Sequence, residues 1–359
     1  MTLVPTLEPP FGARDAHGMA ALVDAIPDHI SEALARTDAA PWVLGGAAPD
    51  LVAVGGMGGS AIAAELTGAL YADRLPRPWL VVRDYAWPAC VNARSLAVLS
   101  SNSGNTEETL ALEAASAERG IPAVALTSGG ALAERARARG LHRQAVPGGM
   151  PPRASLFHAW VPMTRLVGAL GWADDPREDW REAAALLADR RAVLGTTAAE
   201  AGNPAKVLAR ALHGRQVFVY SSAGPVAAVG VRWRQQLNEN AKLLGHSATV
   251  PELNHNEIVG WQAAGEAHRG IAVVVLRDRE DPPAHVTRLE LTAQYAARQG
   301  AAVHEVVSTG ESRIARLASL VQFGDYLSLY LALLGGADPT DISSIDDFKR
   351  RLAERAKAR

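Results

Sequence analysis

Cysteine and lysine are both scarce in this sequence, and neither sign of charge dominates it. Cys90 is the single cysteine among 359 residues, so the chain cannot build an internal disulfide framework. This usage is typical of a reducing compartment, and we expect a cytoplasmic protein. The formal net charge is -2, without the basic excess of nucleic-acid-binding proteins, so we expect no nucleic acid partner.

Long apolar segments are also missing from the sequence. Runs such as residues 271–276 are strand-sized and too short to cross a bilayer. The first residues lack the charged start and apolar core of a signal peptide, so we expect no membrane partner. Hydrophobic residues make up 48% of the chain, which is enough for complete cores, and the length suits two domains of ordinary size.

Apolar strand-like runs alternate with alanine-rich helical segments from residue 51 onward. The predicted strands of the first half are 51–55, 79–83, 97–101 and 122–127, with a weaker fifth at 142–146. The alternation stops at a helical stretch and restarts with strands at 216–220, 271–276 and 302–307. This pattern indicates an α/β fold, in which parallel sheets are covered by helices on both faces.

The second half repeats the order of the first, which is strand, small polar loop and helix. We therefore predict a helical lead-in at residues 1–45, a first α/β domain at 46–195 and a second at 196–359. The segment 195–204 is rich in Gly, Thr, Asn and Pro and is the candidate linker. A charged C-terminal helix closes the second domain.

Two loops rich in glycine and hydroxyl groups follow predicted strands of the first domain. Their sequences are Gly55-Gly56-Met57-Gly58-Gly59-Ser60 and Ser101-Asn102-Ser103-Gly104-Asn105-Thr106. In a parallel sheet both loops open at the carboxyl edge, where such sheets bind ligands. Glycines let the backbone approach an anion, and the following helix offers free N–H groups. The predicted phosphate cradle consists of Gly59, Ser60, Ser101, Ser103 and Thr106.

These two loops resemble the sugar-isomerase (SIS) domain, and motifs further along make the resemblance more specific. The motifs are Pro151-Pro152-Arg153-Ala154-Ser155, Asn238-Glu239-Asn240-Ala241-Lys242, Glu252-Leu253-Asn254-His255-Asn256-Glu257 and Asp338-Pro339-Thr340 with Lys349. In this order they resemble the bifunctional phosphoglucose/phosphomannose isomerase family, from about residue 51 to residue 349. The resemblance implies two SIS-type, doubly wound, flavodoxin-like domains. The sequence departs from the family pattern at Asn102, since the resemblance implies an aromatic residue between the two serines. We expect its side chain to point away from the phosphate, with little effect.

The resemblance implies an activity as well as a fold. It implies an aldose–ketose isomerase that interconverts glucose 6-phosphate and/or mannose 6-phosphate with fructose 6-phosphate through a cis-enediolate. Such a reaction needs a base that moves a proton between C2 and C1, a cation beside the developing oxyanion and a fixed phosphate anchor. It needs no redox cofactor, and no metal where a guanidinium supplies the positive charge. The histidines near residue 255 show no recognisable metal-ligand spacing.

The motif positions assign a role to each of four residues. Glu239 would be the base. It lies on a predicted apolar helix at 226–244, where partial burial would raise the pKa of its carboxylate toward neutrality. Arg153 would stabilise the enediolate. His255 would open the sugar ring, reaching the active site from a neighbouring subunit, which implies a homodimer. Lys349 would assist ring opening or hold the substrate, and the chain has only four lysines.

Each assignment has a structural alternative. Glu239, Arg153 and Lys349 could be solvated surface charges, and the residues around His255 could form a turn with helix-capping side chains. The glycine-serine loops could be tight turns without a ligand.

Two other functions also remain open. One is a non-catalytic, regulatory SIS protein that binds a sugar phosphate. The other is an NAD-dependent dehydrogenase, because residues 56–61 satisfy a dinucleotide fingerprint and Asp84 lies near the end of the second predicted strand.

Overall fold

The computed structural model describes residues 5–262 and 266–357, which form two α/β lobes. The first lobe contains a five-stranded parallel sheet in the order β2-β1-β3-β4-β5. Its strands are β1 Leu51–Gly55, β2 Trp79–Val82, β3 Ser95–Ser100, β4 Ala123–Thr127 and β5 Arg143–Ala145. This is the flavodoxin-like order, in which the crevice between β1 and β3 is the position where ligands bind. The predicted fold class and the five predicted strands of this sheet are confirmed.

The second lobe contains a four-stranded parallel sheet in the order β7-β6-β8-β9. Its strands are β6 Gln216–Ser222, β7 His246–Val250, β8 Ile271–Arg277 and β9 Ala302–Val307. Strand β7 is absent from the sequence prediction. It lies at the sheet edge, is mostly half-buried and carries the mixed sequence His-Ser-Ala-Thr-Val, which has no apolar run to mark it.

Helices cover both faces of each sheet. They are α1 Met19–Asp24, α2 Ile26–Ala39, α3 Gly58–Leu70, α4 Glu107–Glu118, α5 Gly130–Ala138, α6 Leu156–Ala169, α7 Arg177–Leu194, α8 Pro204–Leu212, α9 Pro225–Glu239, α10 Pro283–Arg298, α11 Arg313–Gly335 and α12 Ser343–Lys357. Short 3-10 helices occupy Glu252–His255 and Glu257–Gln262 between β7 and β8. Helix α9 is shorter than predicted, because Lys242 adopts a left-handed φ of 57° and turns the chain away.

One continuous apolar core joins the two lobes. It includes Ile30 of α2, Val52 of β1, Trp160 of α6, Trp233 of α9 and Tyr330 of α11, all essentially inaccessible to solvent. The helices α3 and α9 pack against each other across the boundary between the lobes. Because burial of apolar surface is the main stabilising term, the lobes hold a defined mutual position.

The predicted linker is a fixed connection. The side chain of Asn203 accepts hydrogen bonds from the backbone N–H groups of Ala205 and Lys206 and donates one to Leu194 O at 2.8 Å. The ammonium of Lys206 is fully buried and donates to Thr196 O at 2.9 Å. These bonds cap α8 and fasten the chain between the lobes.

Helix α11 is the central helix of the second lobe. By length and composition it could cross a membrane, but the whole of its apolar window is buried inside the protein, as in the core helix of a globular domain. A buried charged pair, Asp325 with Arg232 of α9, lies along it. The helix therefore organises the interior and supports the site described next.

Candidate active site

The two hydroxyl-rich loops lie side by side at the carboxyl edge of the first sheet. They follow β1 and β3, which are hydrogen-bonded neighbours at the centre of the sheet. Helix α3 begins at Gly58 and α4 at Glu107, and neither first turn receives a side-chain cap. Backbone N–H groups and the positive ends of two helix dipoles are thus available to an anion.

The serine loop is held by bonds within itself. Ser101 Oγ lies 2.8 Å from Thr106 Oγ1 and accepts a hydrogen bond from Gly104 N at 3.1 Å. Ser101 is buried, so it shapes the loop, whereas Ser103 is exposed and faces solvent. Gly104 has a φ of 69°, and a Cβ there would lie 1.8 Å from Gly129 O. Only glycine fits this position, and the loop is therefore pre-shaped before any ligand binds.

The first loop abuts the turn that carries Arg153. A Cβ on Gly59 would lie 2.8 Å from Pro152 O, so the backbones touch at this point. Ser60 is 8% exposed and lines a small cavity between the loop and the turn. The structure thus brings the cradle and Arg153 together.

The Arg153 side chain crosses from the first lobe into the second. It is 2% exposed, and its Nε donates to Asn240 Oδ1 at 2.7 Å. Its two terminal nitrogens donate to Pro339 O at 2.5 Å and to Glu239 Oε2 at 3.4 Å. Burial lowers the pKa of Arg153, and the Glu239 carboxylate opposes that shift. The guanidinium is therefore a desolvated cation, which acts on a neighbouring charge more strongly than a hydrated one.

Glu239 ends helix α9, and its side chain is 32% exposed. Lys242 Nζ donates to Glu239 O and to Asp341 O, both at 2.6 Å, which closes the turn after the helix. Burial, followed by repulsion from Arg153, lowers the pKa of Lys242. A solvent-accessible carboxylate beside a buried guanidinium can accept a proton while the cation stabilises an oxyanion.

A buried polar network supports this pair, and the sequence analysis missed it. Arg232 donates to Arg153 O at 2.7 Å and to both carboxylate oxygens of Asp325 at 3.1 Å. Gln236 donates to Asp325 at 2.8 Å, and Asn240 Nδ2 donates to Ser328 Oγ at 3.0 Å. A signal for this network was available, since residues 232, 236 and 240 are polar and recur every four residues on a helix.

The structure does not bring His255 or Lys349 to Glu239. His255 is exposed on the 3-10 helix after β7, and Lys349 is exposed on α12. Within residues 5–262 and 266–357, no hydrogen bond or ion pair joins either side chain to Arg153 or Glu239. Thr340 Oγ1, next to the Pro339 carbonyl that Arg153 binds, is buried without a partner among the same residues.

A hydrogen bond within the protein spans the crevice of the second sheet. Ser222 is the last residue of β6, and its Oγ donates to Asp281 Oδ1 at 2.5 Å, where Asp281 lies after β8. The other carboxylate oxygen of Asp281 accepts from Asp278 N at 2.9 Å. This position between β6 and β8 corresponds to the cradle position between β1 and β3 in the first lobe.

The dinucleotide alternative predicted an acidic residue at the end of the second strand. Strand β2 ends at Val82, and Asp84 lies two residues beyond it. Its carboxylate accepts a hydrogen bond from Tyr85 N at 2.6 Å, so it is engaged in a local turn.

Two flavodoxin-like lobes with a paired hydroxyl-rich cradle define a protein of the SIS class, and comparisons with known proteins agree. A family model described as bacterial phospho-glucose isomerase C-terminal SIS domain matches residues 201–352. The solved structure of tagatose-6-phosphate ketose/aldose isomerase from Escherichia coli aligns with a TM-score of 0.70 at 14% identity, covering 94% of this chain and 97% of that one. It shares the fold.

Sequence relatives identify the family within this class. A bifunctional phosphoglucose/phosphomannose isomerase of Caldicellulosiruptor bescii is 36% identical over 305 residues, which cover 85% of this chain and 90% of that protein. Another, of Thermoplasma acidophilum, is 31% identical over 302 residues and covers 84% of this chain and 89% of that protein. The chain belongs to the bifunctional phosphoglucose/phosphomannose isomerase family.

Proposed function

We propose that this protein interconverts glucose 6-phosphate and/or mannose 6-phosphate with fructose 6-phosphate through a cis-enediolate. The observation that carries the proposal is the pairing of Arg153 with Glu239 beside a pre-shaped anion cradle. The phosphate of the sugar binds where α3 and α4 begin, with Ser60, Ser103 and Thr106 as hydroxyl donors. The fixed phosphate places C1 and C2 near the boundary between the lobes.

Glu239 acts as the base of the isomerisation. Its carboxylate takes the proton from C2 of the open-chain aldose and returns it to C1, while a proton passes from the C2 hydroxyl to the C1 oxygen, and the ketose reacts by the reverse transfers. Negative charge develops on the oxygens of C1 and C2 during the transfer. Arg153 stabilises that charge, and because its bonds to Asn240 and Pro339 already fix it, little reorganisation is needed.

Ring opening requires a group that moves a proton between the ring oxygen and the anomeric hydroxyl. We assign this step to His255, with Lys349 assisting, and we place both in the site of a homodimer. Exposed apolar side chains on the segments that carry these residues support the assignment. Val259, four residues beyond His255, is 56% exposed, and Phe348, next to Lys349, is 67% exposed, so both are available to a neighbouring subunit.

Substrate choice depends on the space around the C2 hydroxyl. The unpartnered Thr340 hydroxyl beside Arg153 is our candidate for contacting that region. We place the enzyme in the cytoplasm, where the same reaction serves glycolysis and gluconeogenesis.

A regulatory protein that only binds sugar phosphates is the second candidate function. It would require the cradle but not the base. The engagement of Glu239 by a buried arginine favours catalysis, since the buried guanidinium is costly unless it serves a nearby anion.

Progress-curve NMR tests both possibilities. The purified protein is incubated separately with glucose, mannose and fructose 6-phosphates, with and without a chelator. The proposal expects aldose and ketose to interconvert in either direction in at least one pair, at the same rate with chelator. Binding of fructose 6-phosphate without formation of either aldose phosphate would support the regulatory protein. A fluorescence change of NADH on mixing would instead support a dehydrogenase.

A further inference from the structure

Asn102 connects the serine loop of the first lobe to the turn at residues 151–155, which carries Arg153. It belongs to the serine loop, and its side-chain amide donates a hydrogen bond to Ser155 Oγ at 2.7 Å. Ser155 Oγ in turn donates to Pro152 O at 2.9 Å. Arg153 lies between Pro152 and Ser155 in the sequence. The bond from Asn102 to Ser155 therefore joins the serine loop to the turn that carries the guanidinium.

The backbone of Asn102 is also fixed. Its carbonyl oxygen accepts from Ser128 Oγ at 2.6 Å and from Ser128 N at 3.0 Å. Ser128 follows β4, so Asn102 is tied to the sheet on one side and to Ser155 on the other. A residue held at both ends fixes the position of the loop relative to the turn.

The space enclosed by this contact is small. A cavity of about 10 Å³, roughly the size that holds a single water, lies between the loops. Its lining includes Gly59, Ser60, Asn102, Pro152 and Ser155. The two loops and the turn are therefore packed as one unit with little room to shift independently.

The Arg153 backbone is held from the other lobe as well. Arg232 donates to Arg153 O at 2.7 Å, and Ser155 is 3% exposed. The backbone of Arg153 is thus held by Arg232 of the second lobe and lies next to the buried Ser155, while the guanidinium itself is bonded to Asn240 and Pro339.

We propose that Asn102 is a positioning residue that couples phosphate binding in the serine loop to the placement of the Arg153 guanidinium. The inference rests on the proposed isomerase function. An aromatic side chain, which the family resemblance leads us to expect here, has no amide to donate to Ser155. This chain therefore uses a hydrogen bond at a position where we expected a side chain of little effect.

The test compares two ligands that share a phosphate and differ at the reacting end. One is a phosphorylated five-carbon hydroxamate, which mimics the enediolate, and the other is an alditol 6-phosphate, which has no carbonyl group. Loss of one hydrogen bond corresponds to about tenfold in an equilibrium. For Asn102→Ala we expect kcat and hydroxamate affinity to fall by about that factor, with KM and alditol phosphate affinity changed by less than about twofold.

Two further variants make the comparison specific. Ser155→Ala removes the partner of the same bond together with the bond to Pro152 O, so it should lower kcat and hydroxamate affinity at least as much as Asn102→Ala. The double variant should be no worse than Ser155→Ala alone. Asn105→Ala is the matched control. Its Oδ1 accepts from Ala131 N at 3.0 Å and ties the same loop to α5, away from Arg153. It should weaken both ligands by the same factor.

The outcomes separate this inference from the proposed function. Equal weakening of both ligands by Asn102→Ala, or no change in either, overturns the coupling role. Additive effects of Asn102→Ala and Ser155→Ala, measured on variants whose unfolding shows that they are folded, overturn it too. If the wild-type protein does not isomerise hexose phosphates and binds the hydroxamate no tighter than the alditol phosphate, the proposed function fails and the inference falls with it.

Discussion

Arg153 and Glu239 are 86 positions apart in the chain and belong to different lobes, yet a guanidinium nitrogen of one lies 3.4 Å from a carboxylate oxygen of the other. The pair exists because α9 ends at the boundary between the lobes and the 151–155 turn reaches across it. Neither lobe alone contains both the positive and the negative group. Chemistry at this pair therefore depends on how the lobes are packed together.

Replacing the proposed base should stop the reaction without releasing the substrate. For Glu239→Gln we expect kcat to fall by at least about 10²-fold, because general base catalysis contributes about 10² to 10⁴. The affinity for an alditol 6-phosphate should stay within a few-fold, since the cradle lies on the other lobe. A coupled assay and isothermal titration measure the two quantities. Near-normal turnover in this variant would show that another residue is the base.

Mixed dimers should reveal whether His255 acts across a subunit interface. Glu239→Gln and His255→Asn are each expected to be inactive alone. If His255 is donated across the interface, a dimer of one chain of each kind contains one complete site. Random pairing of equal amounts then restores about a quarter of the wild-type activity.

The opposite outcome of the mixing experiment is equally clear. If His255 serves its own chain, every site in the mixed dimer carries one defect and no activity returns. Co-expression with different affinity tags provides the mixed species, and analytical ultracentrifugation confirms its size. A monomeric wild-type protein would also rule out donation across an interface.

The buried ion pair beneath the site should be costly to break. Arg232 and Asp325 are 1% and 6% exposed, so Asp325→Ala leaves a buried guanidinium without its partner. We expect a loss of about 3 to 5 kcal/mol in the free energy of unfolding. Asp347→Ala is a matched control. Asp347 is 43% exposed and pairs with Arg350 and Arg351 on the surface of α12, where a loss of at most about 1 kcal/mol is expected. Urea denaturation gives both values, and equal losses would contradict this account.

Acid should destabilise the fold through a buried histidine. Burial, reinforced by the nearby His29, lowers the pKa of His158 from 6.5 to about 4. The ring centroids of His29 and His158 are 5.1 Å apart, and Glu32 and Arg36 are the other charged neighbours of His158. The unfolded chain binds a proton more readily than the folded one between these values. The stabilising contribution is therefore present above about pH 6.5 and is lost as the pH falls toward 4, by about 2 kcal/mol at pH 5.

Urea unfolding of His158→Leu checks the acid prediction. The difference in unfolding free energy between about pH 7.5 and pH 5 should be smaller in the variant than in the wild type, by most of the loss of about 2 kcal/mol assigned to His158. Some slope should remain, because burial also lowers the pKa of His29. A pH dependence identical to that of the wild type would contradict the assignment to His158.

The regular parts of the fold were predictable because their residues are strongly patterned. Strands such as β1 and β4 are buried at every position, so each appears as an unbroken apolar run. Strand β7 was not predictable, since it is half-buried at an edge. The end of α9 was also missed, because the conformation of Lys242 is set by its bonds to Glu239 and Asp341 and not by its residue type.

The candidate site was predictable in its residue types but not in its geometry. The motifs singled out Arg153 and Glu239, and the structure places them in contact. The four-residue spacing of polar residues on α9 was a signal for Arg232, but the motifs did not identify its partner Asp325, because helix packing brings the two together. His255 and Lys349 are exposed and apart from Glu239 in a single chain, and their roles stay predictions.

The contact between Ser222 and Asp281 bears on how many sugar phosphate molecules each chain is expected to bind. In the second lobe the protein fills the crevice with a carboxylate of its own, so a dianionic ligand would meet negative charge there instead of a vacant ring of donors. We therefore expect the phosphate to bind at the cradle of the first lobe and not at the corresponding position of the second lobe. Saturation with a sugar phosphate should accordingly stop at one molecule per chain, although the chain contains the same fold twice.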